Sequence, residues 1–279
     1  MSPTGAQRGS DRLKEAEQLL RIEDLRLSVR LRKRTTAILS GLSLRVQAGE
    51  ILGLVGESGA GKSQTALAIL GLLHPAMTIE SGKIEFRGRS LLGLPQEELR
   101  RVRGRQIALI HQEPQSSLNP LMLVGRQVAE TRRCYFQETR AEAKRMTLQL
   151  MQEAGLEEPE RVFYLYPHEL SGGMRQRVLI AMALSGRPKL ILADEATSAL
   201  DGTTRARILC LLKRLSRRHG ISILFISHEL ESVSMIADRV AVMRGGRVVE
   251  EGPCPELFTH PQHEYTKELI RAFPGESGI

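Results

Sequence analysis

The chain has 279 residues, enough for one large domain or two small ones, and its 41% hydrophobic and 26% charged residues are ordinary for a globular protein. Aromatics at 4%, with no tryptophan, argue against a platform for stacking sugars or bases. The formal net charge of +8 admits nucleic acid or an anionic membrane surface as partner. The basic residues are however scattered through "RLRKR" (30–34), "RRVRGR" (100–105) and "KRLSRR" (213–218), a pattern that favours solvated helix faces and loops.

Residues 1–20, "MSPTGAQRGSDRLKEAEQLL", are polar and lack the apolar segment of a secretory signal, so a mobile or helical leader and a cytoplasmic location are expected. Apolar runs such as residues 178–184 fall far short of the roughly 20 residues that a membrane span needs. Cys134, Cys210 and Cys254 are widely spaced, which predicts reduced structural thiols and neither a disulfide framework nor a metal site.

From residue 21 onward, "IEDLRLSVRL" and "GLSLRVQAG" predict an antiparallel lead-in. "ILGLV" (51–55) is nearly all apolar, as expected of a strand buried on both faces. A helix is predicted over 64–73, a strand and turn over 82–89, and a strand over 106–112. Between 113 and 187 only helical patterns occur, broken at Pro114, Pro120, Pro159 and Pro167. Strand–helix alternation then resumes, with strands at 189–194, 222–227 and 239–246, a helix over about 203–219, and "RVVEEG" at 247–252. Such alternation implies a parallel sheet wrapped by helices, with a helical subdomain inserted at one edge.

The sequence "GESGAGKS" fills G-x-x-x-x-G-K-[ST] between a strand and a helix, the context that gives the motif its meaning. In that reading Gly56, Gly59 and Gly61 let the backbone turn, and the N–H groups of the loop (Gly56, Glu57, Ser58, Gly59, Ala60, Gly61, with Gln64 just beyond) surround phosphates. Lys62 reaches the β- and γ-phosphates and Ser63 holds Mg²⁺. "LILADE" adds Asp194 as a second Mg²⁺ ligand at a strand tip, and Glu195 as a general base toward the attacking water. The competing reading is an acidic pair that merely opens a surface loop. Gln112 and His228 end two further strands on the same edge. They are candidates for contact with Mg²⁺ or water, and with the γ-phosphate, respectively; alone, each is as readily a turn residue.

A second phosphate-facing helix start occurs at "ELSGGMRQRVLIAMAL" (169–184), where Ser171, Gly172 and Gly173 expose backbone N–H groups. Together with "SALD" (198–201), these motifs stand in the order of the ATP-binding-cassette (ABC) ATPases, which the chain resembles over roughly residues 22–250. The resemblance implies an α/β P-loop NTPase core of RecA-like type over about 21–112 and 187–252, a helical subdomain over about 113–186, and a tail over 259–279. It assigns Glu195, His228 and Gln112 to hydrolysis, and Ser63, Gln112 and Asp194 to the metal. Ser171, Gly172, Gly173 and Asp201 would serve a nucleotide held mainly by another subunit.

"HQEPQSSLNP" (111–120), "LSGGMRQR" (170–177) and the tail "ELFTHPQHEYTKELIRAFP" (256–274) are similar to the bacterial subfamily that powers uptake of short peptides, nickel and related solutes. Implied partners are a second ATPase subunit, two transmembrane permease subunits and, indirectly, a solute-binding protein at the cytoplasmic face of the inner membrane. No nucleic-acid partner is expected: relatives acting on nucleic acid or ribosomes carry tandem cassettes, coiled coils or zinc-bearing insertions. Export or membrane remodelling is a further alternative. The tail lacks the cysteines of a cluster-binding extension, Ala196 stands where the subfamily has Pro, and no aromatic precedes the P-loop to stack on adenine. Arg32, Lys33 or Arg34 is the substitute by cation–π contact.

Overall fold

The computed structural model describes residues 18–31, 34–111 and 117–272. The lead-in is a hairpin of β1 (Gln18–Leu31) and β2 (Arg34–Gln47), antiparallel as expected; the strand takes in the last residues assigned to the leader. β4 (Met77–Phe86) pairs with β1, and β5 (Arg89–Ser90) closes this four-stranded sheet.

The second sheet has the order β10-β9-β3-β8-β7-β6, where β3 is Ile51–Val55, β6 Ile107–Ile110, β7 Leu190–Asp194, β8 Ser222–Ile226, β9 Arg239–Arg244 and β10 Arg247–Pro253. All neighbours in it run parallel except β10, which folds back antiparallel on β9. β3, β7 and β8 are buried at every residue, which is why they appear in the sequence as apolar runs without alternation.

The period-2 geometry of a strand divides these runs between two cores. Leu52, Leu54, Leu190, Leu192, Leu224 and Ile226 face a core shared with the antiparallel sheet and α1 (Lys62–Leu70). Ile51, Val55, Ile191, Ala193, Ile223 and Phe225 face the opposite core. That side is built with α6 (Gly172–Ser185), α7 (Gly202–His219) and α8 (Leu230–Ile236), and extends into α3 (Val124–Tyr135) and α4 (Arg140–Glu153). α3 and α4 belong to the helical stretch expected between 113 and 187, together with the short α5 (Pro159–Val162).

The caps set the helix boundaries. α4 starts with a full capping box, Thr139 and Glu142 exchanging side chain-to-backbone bonds. α7 starts at Asp201, whose carboxylate accepts the Thr204 N–H at 3.0 Å, and ends at Gly220 in the left-handed conformation. α1 begins at Lys62, inside the glycine-rich motif, and stops at Gly71. It therefore starts and ends earlier than the expected span of 64–73.

Three helices have no counterpart in the sequence reading: α2 (Gln96–Val102), α9 (Cys254–Thr259) and α10 (Glu264–Arg271). The cysteines are free, but Cys134 and Cys210 are exposed, so of the three only Cys254 is packed as a structural thiol.

Candidate functional site

The carboxyl ends of β3, β7 and β8 meet at one edge, where ligands of open parallel sheets bind. Register explains the convergence. Asp194 lies opposite Ile226, and Glu195 continues the pairing by donating its N–H to the Ile226 carbonyl at 2.9 Å. Ser227 donates to Leu54 O at 3.2 Å, which ties the start of the His228 turn to the strand that feeds the P-loop.

The P-loop itself needs its glycines. Gly56 has φ 151°, and a Cβ there would sit 2.2 Å from the Met243 carbonyl oxygen on β9. Gly61 has φ 99°, and a Cβ would lie 2.7 Å from Leu39 Cδ2 on β2. The loop thus packs between both sheets with no room for a side chain at either position. Glu57, Ser58 and Gly59 remain exposed on its outer rim, and Ala60 is buried beneath.

Lys62 is 6% exposed and curls back so that Nζ donates to Gly56 O at 2.7 Å and Glu57 O at 2.9 Å. Burial holds its ammonium below the usual lysine range, an effect opposed by the carboxylates of Glu195, Asp194 and Glu57. Ser63 Oγ donates to Asp194 Oδ1 at 2.9 Å. Burial pushes the Asp194 carboxyl up, against the lowering pull of the Ser63 hydrogen bond and of His111.

Glu195 occupies the left-handed region at φ 49°, uncommon for a side-chain-bearing residue. Its carbonyl accepts from both the N–H (3.2 Å) and the hydroxyl (3.1 Å) of Ser198, which fastens the turn. Ala196, where the sequence comparison expects Pro, is buried in that fastened turn. His228 Nδ1 lies 2.9 Å from Glu195 Oε1. The histidine, expected to face a γ-phosphate, is in direct contact with the carboxylate expected to act as base.

Ser58, Gly59, Gly61, Lys62, Ser63, Gln64, Glu195 and His228 line one cavity of about 580 Å³, closed on another side by Ile38 and Met77. Its lining is of the kind a magnesium nucleotide requires. Ser63 and Asp194 offer hard oxygen ligands within one hydrogen bond of each other, and the buried Gln64 Oε1 has no hydrogen-bond partner. Of the cations expected near adenine, Arg34 is exposed and does not line this cavity, and Arg32 and Lys33 lie outside the described residues. The apolar residues lining the cavity are Ile38 and Met77. Gln112 also lies outside the described residues.

The second helix start stands apart from the cavity lining. Ser171 caps α6, accepting the Met174 N–H at 3.3 Å, and Ser171 and Gly172 are exposed. A Cβ at Gly173 would come within 2.7 Å of Thr204 Cγ2, so α6 begins directly against the first turn of α7 and its cap Asp201. The helix starts at Lys62 and at Gly172 therefore lie in different surroundings, since Ser171, Gly172 and Gly173 do not line the P-loop cavity.

The sequence reading missed Tyr265 of α10. Its hydroxyl accepts the Glu57 N–H at 3.0 Å, bringing the tail onto the P-loop. The "HEYTKEL" segment was the only signal available, and nothing local in it points to a contact more than two hundred residues away.

A family model described as "ABC transporter" matches residues 39–198. The peptidoglycan transport ATP-binding protein YejF of Agrobacterium fabrum is 49% identical, over 92% of this chain and 47% of its own length. The oligopeptide transport ATP-binding protein OppD of Escherichia coli is 43% identical, over 93% of this chain and 77% of its own. This chain thus spans about half of the first relative and three quarters of the second. Among solved structures, the dimeric post-hydrolysis state of the ATP-binding cassette MJ0796, bound to ADP and Pi, matches with TM-score 0.76 at 26% identity, over 85% of this chain and 99% of that one. Motif order, sheet topology and these matches agree: the chain belongs to the ATP-binding proteins of the ABC transporter family and is an ABC-type ATPase.

Proposed function

We propose that this chain is the ATP-hydrolysing subunit of a bacterial importer of short peptides. The observation that carries the chemistry is the grouping of Lys62, Ser63, Glu195 and His228 around one cavity, with Asp194 on Ser63. The substrate class is supported by relatives named for peptide, oligopeptide and peptidoglycan transport at 43–49% identity.

ATP binds with its phosphates over the P-loop N–H groups and Lys62, and its base against Ile38 and Met77. Ser63 and Asp194 would hold Mg²⁺, with Gln112 as a further candidate ligand; when bound, the ion would neutralise charge on the phosphates. Glu195 takes the proton of the attacking water, and His228 holds that carboxylate in place. The pinned φ of Glu195 aims it without reorganisation during the reaction.

Ser171, Gly172, Gly173 and Asp201 serve the nucleotide of a second ATPase subunit, by helix-start N–H groups and dipole. ATP-driven closure of two such subunits, and reopening after hydrolysis, moves two permease subunits at the cytoplasmic face of the inner membrane. No helix among the described residues is long and apolar enough to cross a membrane, consistent with a peripheral subunit held by separate permeases.

Reconstitution with its permeases and solute-binding protein tests the assignment. Di- to pentapeptides are expected to raise ATP hydrolysis, while Ni²⁺ or its chelates leave it at the basal rate. Stimulation by nickel alone assigns the chain to metal uptake, and stimulation only by peptidoglycan fragments narrows the peptide class to those.

A further inference from the structure

The tail of the chain is fastened next to the P-loop. α10 is capped by His263, whose Nδ1 accepts the Tyr265 N–H at 3.1 Å. Just before it, the Glu250 carboxylate of β10 accepts the N–H groups of Gln262 (2.7 Å) and His263 (3.0 Å). The Arg244 guanidinium at the end of β9 lies 4.5 Å from the centre of the Tyr265 ring. The β9–β10 hairpin therefore holds the tail at the tyrosine ring and at the two residues before α10, and Tyr265 is 2% exposed.

The hydrogen bond from Glu57 N–H to this phenol involves a particular peptide unit. That unit joins Gly56 to Glu57, and its carbonyl is the Gly56 oxygen on which Lys62 Nζ rests at 2.7 Å. Tyr265 and Lys62 thus grip opposite ends of one peptide plane. Gly56 places no side chain against rotation of that plane, and these two bonds hold it from either end. Turning the N–H away from Tyr265 would carry the carbonyl away from the ammonium. Burial pushes the Tyr265 phenol above its ordinary value, so it is a neutral hydroxyl at physiological pH.

We infer that Tyr265 is a positioning residue for ATP: its hydroxyl fixes the Gly56–Glu57 peptide and thereby aims Lys62, so that P-loop affinity depends on a docked C-terminal tail. The inference rests on the P-loop being the ATP site.

Tyr265→Phe in the full chain removes one oxygen and keeps the ring against Arg244. If Lys62 binds the phosphates of ATP as proposed, loosening it weakens ground-state binding and raises KM, whatever smaller change kcat shows. The expected result is about a three- to ten-fold rise in the dissociation constant and KM for ATP, the worth of one net hydrogen bond, with the melting temperature of the ATP-free chain lowered by no more than about 4 °C. Arg244→Gln, which frees the ring but keeps the hydroxyl, is expected to give a smaller rise of the same kind. An unchanged KM, a loss confined to kcat, or weaker binding accompanied by a melting temperature lowered by more than about 5 °C overturns the inference. Wild-type chain that binds no ATP would instead sink the reading of the site.

Discussion

Glu195→Gln is expected to lower ATP turnover about 10²- to 10⁴-fold, the usual worth of a positioned general base, while ATP affinity stays within a few-fold of wild type. The substitution keeps the shape of the side chain and removes its capacity to take a proton. The surroundings favour a clean readout. The backbone turn is held by the Ile226 carbonyl and by Ser198, neither of which involves the carboxylate. The side-chain partner, His228, is half-exposed and can be solvated when the carboxylate is gone. Phosphate release and equilibrium nucleotide binding, measured on one preparation, separate the two effects. Hydrolysis at the wild-type rate would show that another group is the base.

Asp194→Asn is expected to abolish magnesium-dependent turnover with no loss of stability at neutral pH. Burial raises the Asp194 carboxyl above its ordinary value in the folded state, outweighing the Ser63 hydrogen bond and His111. A raised carboxyl favours folding below the ordinary carboxylate range, and that contribution is lost as pH rises through the folded value. At pH 7 the ionised Asp194 therefore weighs against the fold, and neutral Asn does not. The Asn side-chain oxygen can still accept the Ser63 hydroxyl. Thermal melting should show the variant at or above wild type at pH 7, with the difference shrinking as pH falls into the carboxylate range. A variant that melts lower at pH 7 would mean that Asp194 is a structural anion. A stabilised, inactive variant is what a functional carboxylate buried for metal binding should give.

The parts of this site legible in the sequence are those fixed by local pattern. β3, β7 and β8 are buried at every residue, so each appears as a largely apolar run, and the candidate residues lie at its end (Asp194) or just beyond it (Gly56, His228). The P-loop carries its own geometry in its glycines. The signature start is legible because a cap residue followed by two glycines and an apolar helix is a local signal.

What failed was long-range or short. α2 is a single polar seven-residue helix with two buried residues, too brief to establish a period. α10 buries only Tyr265 and Thr266. Its role depends on a fold that brings residue 265 beside residue 57. The sequence points to cations at 32–34 for contact with adenine, whereas the apolar residues that line the cavity, Ile38 and Met77, come from two different strands of the antiparallel sheet. The contact between His228 and Glu195 depends on the register of β7 against β8, which neither strand specifies alone.

The central claim is that the ATP site of one subunit is completed by the Ser171–Gly173 helix start of another. The direct measurement is ATP binding and hydrolysis by Ser171→Arg in the assembled transporter, where the substitution lies at the helix start and outside the P-loop cavity. The account predicts wild-type ATP affinity at this chain's own P-loop with hydrolysis reduced at least about ten-fold, as expected when transition-state contacts supplied in trans are lost. Hydrolysis at the wild-type rate would contradict it, because the site would then be complete within one chain.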